Sequence, residues 1–217
     1  MKPVLVFDLD GTLLDTLASL AEAYNLALKD LGFPPHATDA YRMIIGDGAF
    51  VAARRALPQD RKDDQLIAQC VDKFRHYYDD LWRTASPYPG IKALLATLRG
   101  DYTLTVLSNK DEAFTRQCCD TFFPGVFELT LGASDVVKHK PDPSGPRAIA
   151  RHYGREPNQL WMIGDTATDM KTAAATGMTG VGVLWGFRDR VELLENGAHH
   201  LLHEPAELLA LLRAGLL

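Results

Sequence analysis

Val4-Leu5-Val6-Phe7-Asp8-Leu9-Asp10-Gly11-Thr12-Leu13-Leu14-Asp15 is the stretch from which the rest of the chain can be read. Its first four residues are a continuous apolar run rich in β-branched side chains, the pattern of a strand buried on both faces of a parallel sheet. Similar runs recur at 103–107, 129–131, 160–163 and 181–184. Helix-length segments occupy 89–99, 111–122, 143–153, 168–177 and 188–196, several opening with Asp or Pro and ending near Gly. Strands alternating with helices predict an α/β fold, an open parallel sheet with helices on both faces and right-handed crossovers. Ligands of such sheets sit at the carboxyl ends of the strands.

The stretch 16–85 breaks this alternation. It offers helical pattern and no convincing strand: Leu17, Leu20, Ala21, Tyr24, Leu28 and Leu31 form one apolar stripe ahead of Gly32, and further candidates lie at 38–44, 48–57 and 63–82. Pro87-Tyr88-Pro89-Gly90 reads as the return hinge. The expected organisation is therefore a catalytic core of residues 1–15 and 86–217, with an all-helical domain of residues 16–85 inserted after the first strand.

Composition bounds the function. The 217 residues are 47% hydrophobic and 24% charged, as in an ordinary globular protein. The 23 basic and 28 acidic side chains leave a formal charge of −5, which argues against a nucleic-acid binder held by the phosphate backbone. Cys70, Cys118 and Cys119 form neither a disulfide framework nor a zinc pattern, and Cys118 and Cys119 read as packing residues. The opening apolar run is cut by acids too early for a signal peptide, and no stretch approaches 18 apolar residues. A cytoplasmic monomer or homodimer with no membrane partner is expected.

Chemistry concentrates at the strand ends. Asp8 and Asp10 stand two residues apart where the first strand finishes, so both carboxylates approach one volume and repel each other unless a cation intervenes. Mg²⁺ suits oxygen ligands of this kind together with a substrate phosphate, and a carboxylate can also serve as a nucleophile. Ser108-Asn109-Lys110, Lys138-His139-Lys140-Pro141-Asp142-Pro143 and Gly164-Asp165-Thr166-Ala167-Thr168-Asp169 follow three other strands. Acids, a hydroxyl and a lysine would thus converge on one crevice.

In this order, FDLDGTLLDT, LSNK, HKPDP and GDTATD resemble the four signature motifs of the haloacid dehalogenase superfamily of phosphohydrolases. The resemblance implies a Rossmann-like core with a helical cap at 16–85. It also implies Asp8 as nucleophile, Asp10 as acid and base, and Mg²⁺ held by Asp8, Asp165 and the backbone carbonyl of Asp10. Asp169 would sit in the outer shell of the metal or orient a water. Ser108 and Lys140 would bind the phosphoryl oxygens, with Thr12 and Asn109 as further donors.

The cap piece Ile45-Gly46-Asp47-Gly48-Ala49-Phe50 is similar to the glycine loop of phosphoglycolate phosphatases, which implicates Gly46, Gly48 and Arg55, with Arg42 and Arg54 as alternatives, in holding a substrate carboxylate. A small phosphorylated metabolite, phosphoglycolate first, is the expected substrate. The alternatives are a phosphosugar mutase or phosphatase, a pyrophosphatase, and a non-catalytic anion-binding module. Mutases of this superfamily usually carry Glu where this chain has Gly164, and dehalogenases lack the acid present here as Asp10. Trp161 and Trp185 read as core, Trp82 as a packing residue at the domain junction, His199, His200 and His203 as a polar strand end, and 60–64 as a solvated loop.

Overall fold

The computed structural model describes residues 2–214. In chain order the strands are β1 (Val4–Phe7), β2 (Leu14–Asp15), β3 (Ser86–Pro87), β4 (Thr103–Asp111), β5 (Leu129–Ala133), β6 (Leu160–Gly164), β7 (Thr179–Val183) and β8 (His200–Leu202). The helices are α1 (Leu17–Asp30), α2 (Tyr41–Ile44), α3 (Ala49–Ala56), α4 (Asp64–Leu81), α5 (Ile91–Leu98), α6 (Glu112–Phe122), α7 (Ser144–His152), α8 (Ala167–Thr176), α9 (Arg190–Glu195) and α10 (Ala206–Arg213). Six strands form one parallel sheet in the order β5-β4-β1-β6-β7-β8. The chain steps from β1 outward in both directions, which opens a crevice at the carboxyl ends of β1, β4 and β6.

Strand pleating explains the continuous apolar runs. Val4 and Val6 of β1 face one layer, with Met162, Ile149 of α7 and Ala173 of α8. Leu5 and Phe7 face the other, with Leu104, Val106, Trp161, Ile163 and helices α5, α6 and α10. Both faces are covered, as an all-parallel sheet requires.

Residues 17–81 between β2 and β3 carry α1 to α4 and no strand. Tyr24 of α1 stacks on Phe74 of α4 with centroids 4.0 Å apart, and Phe74 stacks on Tyr78 at 5.2 Å. Trp82 meets Phe122 of α6 edge-on at 6.1 Å, at the junction where it was expected. The buried apolar side chains of this segment and of one sheet face form a single continuous cluster.

Several elements differ from expectation. The segment is joined to the sheet by a two-stranded antiparallel ribbon, Leu14 opposite Pro87 and Asp15 opposite Ser86, which is too short to leave a period in the sequence. β4 runs to Asp111 through an irregular register after Leu107, so Ser108, Asn109 and Lys110 belong to a strand end and not to a following loop. β7 spans Thr179–Val183 and not 181–184; Gly180 and Gly182 dilute the apolar signal at its start. Asp63 is exposed in the loop before α4, as expected, and also caps that helix, its carboxylate accepting from the Leu66 amide at 2.9 Å. Trp185 is only partly buried, its indole N–H donating to the Thr12 carbonyl at 2.9 Å. His199 accepts from the Gly180 amide and His200 stacks on Trp161, so both serve the β7–β8 edge. No helix among the described residues is long and apolar enough to cross a membrane.

Candidate active site

Asp8 follows β1 directly, and its amide still donates to the Ile163 carbonyl of β6 at 2.8 Å. The strand therefore fixes the backbone from which the carboxylate projects. Asp8 Oδ1 accepts from Lys140 Nζ at 2.8 Å, and the same ammonium donates to Asp169 Oδ1 at 2.6 Å. The second oxygen of Asp169 accepts from the amide and hydroxyl of Thr166, a capping box that starts α8. Asp165, at the end of β6, accepts from the Thr12 hydroxyl at 2.9 Å and from the Phe187 amide at 2.8 Å.

All four of these charged groups are buried. Burial pushes the Asp8 carboxyl up to about 7 against the pull of Lys140, and burial followed by the charges of Asp8 and Asp169 raises Asp165 well above the usual carboxylate range. Burial works against the Lys140 ammonium, but Asp169 and Asp8 outweigh it and hold it charged. One ammonium thus faces three acids. Carboxylate oxygens of Asp8, Asp165 and Asp169 lie within 4.8 Å of one another, a hard-oxygen donor set with excess negative charge that fits a divalent cation such as Mg²⁺.

The packing around Asp165 is close. At Gly11 (φ +89°) a Cβ would lie within 2.8 Å of all three atoms of the Asp165 carboxyl group. Only glycine lets the chain turn there while pressing on that carboxylate.

Asp10 stands apart from the three acids. Both of its oxygens accept from Lys110 Nζ, at 2.9 and 2.8 Å. Ser108 lines the cavity above Asp8, and its hydroxyl accepts from the Lys110 amide at 3.2 Å, which leaves its proton to donate. Two residues expected as phosphoryl donors are otherwise engaged. The Thr12 hydroxyl is committed to Asp165. The Asn109 side chain is a strut: its amide donates to the Gly46 and Lys140 carbonyls, and its oxygen accepts from the Lys140 amide at 2.6 Å.

The loop 45–48 closes over this crevice. Gly46 and Gly48 line the cavity, and a Cβ at Gly48 (φ +90°) would strike the His139 ring at 2.5 Å. Asp47 links the loop to both sides, bonding the Thr168 hydroxyl of α8 and pairing with Arg55 at 2.6 Å. Arg55 also donates to the Ile44 carbonyl and is not on the cavity wall, so its contacts support the loop from behind. Arg188, buried beside the loop, donates to the Ile45 carbonyl at 3.0 Å.

The sequence pattern of the haloacid dehalogenase-like hydrolases matches residues 5–183. The chain belongs to this family. This hydrolase is 33% identical over 190 residues to a phosphoglycolate phosphatase of Pseudomonas putida, covering 85% of this chain and 70% of the relative. It is 31% identical to a phosphoglycolate phosphatase of Aquifex aeolicus, with 96% of each chain covered. A solved haloacid dehalogenase-like hydrolase of Streptococcus pneumoniae superposes with a TM-score of 0.89 at 27% identity, over 97% of this chain and 98% of the other.

Sequence reasoning did not assign Lys110 or Tyr78 to the hydrolase's crevice. Lys110 was legible only as part of the second motif. Tyr78, 32 positions earlier in the chain, reads as one more apolar residue of a helix stripe.

Proposed function

We propose that this hydrolase is a Mg²⁺-dependent phosphatase that releases phosphate from a small phosphorylated acid, with phosphoglycolate as first choice, through an aspartyl-phosphate on Asp8. The observation that carries the reading is the division of labour between two acids. Asp8 sits inside the acid cluster against Lys140, where a bound cation would favour its carboxylate, while Asp10 is paired with Lys110 outside that cluster. Residues 1–15 and 86–217 act as the catalytic core and 16–85 as the cap that selects the substrate.

Asp8, Asp165 and the Asp10 carbonyl would hold the cation, with Asp169 close enough to join them. When bound, Mg²⁺ supplies charge neutralisation between the Asp8 carboxylate and the phosphoryl oxygens. An Asp8 oxygen attacks phosphorus as the bond to the leaving oxygen breaks, and Asp10, which must enter this step protonated with one Lys110 contact given up, gives that oxygen its proton. Asp10 then takes a proton from the water that attacks the aspartyl-phosphate, which returns Asp8 and frees phosphate. Ser108 and Lys140 steady the transferring oxygens, and Thr12 and the Phe187 amide keep Asp165 oriented. Gly164 speaks against mutase chemistry, because a side chain there would sit 2.3 Å from Asp169 Cγ.

The test is acid quenching of the working enzyme with phosphorus-labelled substrate, followed by peptide mapping. Label on the peptide that contains Asp8 is the expected result. Turnover with no label there would overturn the mechanism.

A further inference from the structure

A phosphatase must bind the part of its substrate that leaves as well as the part that transfers. The cavity wall beyond the acid cluster is mostly apolar and aromatic, with Tyr24, Ile45, Phe74, Tyr78 and Phe114, and its further carboxylates are each paired, Asp10 with Lys110 and Asp111 with Arg75. Among the described residues the cavity has one cationic side chain, Lys110. The cap arginines are committed elsewhere. Arg42 binds Asp39 and the Gly186 carbonyl, Arg54 binds Asp64, and Arg55 binds Asp47 and the Ile44 carbonyl.

Lys110 is built in place. Its side chain is 6% exposed, and its ammonium sits 4.6 Å from the centroid of the Tyr78 ring. Two of its three N–H groups can satisfy Asp10 Oδ1 and Oδ2, which leaves a third. The Tyr78 hydroxyl is buried within reach of this ammonium, which can only donate to it, and its own O–H has no acceptor. A buried phenol donor left unmatched is costly, and in a cavity wall it marks where an acceptor belongs. Cation and orphan donor point to one ligand chemistry: an anion presented from the leaving group.

Resting on the phosphatase reading above, we propose that Lys110 and the Tyr78 hydroxyl form the specificity subsite that binds the anionic end of the leaving group, a carboxylate in the case of phosphoglycolate. Lys110 thereby touches Asp10 and the substrate together, so the charge that selects the substrate lies next to the acid that protonates it. The glycine loop closes the cavity, and the selecting charge comes from the core.

The test compares kcat/KM for phosphoglycolate, ethyl phosphate and pyrophosphate in the wild type, Lys110→Met and Tyr78→Phe. Ethyl phosphate has a similar alkoxide leaving group but no carboxylate, so damage to Asp10 cancels in the ratio. The expected result is a wild-type preference for phosphoglycolate over ethyl phosphate that falls roughly 10- to 100-fold in Lys110→Met and roughly 3- to 10-fold in Tyr78→Phe. Tyr78→Phe keeps the aromatic stack and decides the matter if Lys110→Met does not fold. An unchanged ratio in the variants, with activity on both esters falling together, would overturn the subsite and leave Lys110 as a support for Asp10 alone. A wild type that prefers pyrophosphate, with that preference lost in the variants, would remove phosphoglycolate and keep the subsite. A wild type with no preference for either anionic substrate over ethyl phosphate would overturn the subsite while the phosphatase activity stands.

Discussion

The Asp8, Asp165, Asp169 and Lys140 cluster concentrates charge where water is excluded, so single substitutions there should separate chemistry from stability. Asp8→Asn keeps the shape and can accept from Lys140, but an amide does not attack phosphorus; turnover should fall roughly 10⁴-fold or more with the melting temperature little changed. Lys140→Met leaves the buried acids uncompensated and should cost about 3–5 kcal/mol in denaturant unfolding without metal, together with roughly 10²–10³ in kcat. Asp8 and Asp165 were legible from their strand-end positions, Asp169 on α8 from the resemblance of its motif, while the separation of Asp10 from Asp8 was not. What Thr12 and Asn109 do was not, since a hydroxyl or amide near a phosphate site reads as a ligand donor until its partner is known. Here the partners are Asp165 and the backbone around Gly46 and Lys140.

At the scale of elements, the loop between α2 and α3 is held against the sheet by a few polar contacts, and each can be loosened. Gly48→Ala adds a side chain against His139 at a positive φ, and should lift the loop, raising KM and lowering kcat by roughly tenfold while the core stays folded, as read by kinetics and circular dichroism. Asp47 titrates below the usual carboxylate range: burial pushes it up, but the Thr168 hydrogen bond and Arg55 outweigh that. A carboxyl held below the 3.8 of a free aspartate stabilises the fold above that pH and loses its contribution as pH falls through the native value. The melting-temperature gap between wild type and Asp47→Asn should therefore be widest near neutrality and close below about pH 4. Long periodic elements such as α1 and α4 announce themselves in the sequence. The β2–β3 ribbon and β8 do not, because strands of two and three residues carry no alternation to detect.

For the whole molecule, three buried acids facing one lysine mean that a bound cation is linked to folding. Mg²⁺ at about a hundred times its dissociation constant should add about 2.7 kcal/mol and raise the melting temperature by several degrees. Asp165→Asn should remove most of that shift in a thermal melt with and without the ion. The parallel sheet with helices on both faces followed from the alternation of apolar runs; the strand order, with β1 inside the sheet, did not. The continuity of the helical segment with one sheet face did not, because a cluster assembled from Tyr24, Phe74, Leu95 and Cys118 has no local signature.

Leu14 faces Pro87 and Asp15 faces Ser86, so the chain departs from the sheet and returns to it at a single point. A polypeptide threaded between those four residues needs no new connection to the parallel sheet, whatever its length. The scaffold is accordingly open to grafting. A foreign helical module with adjacent ends could be spliced in to change which leaving groups are accepted, provided that it restores the aromatic seam over Phe114 and Phe122 and leaves the carboxylates beneath untouched.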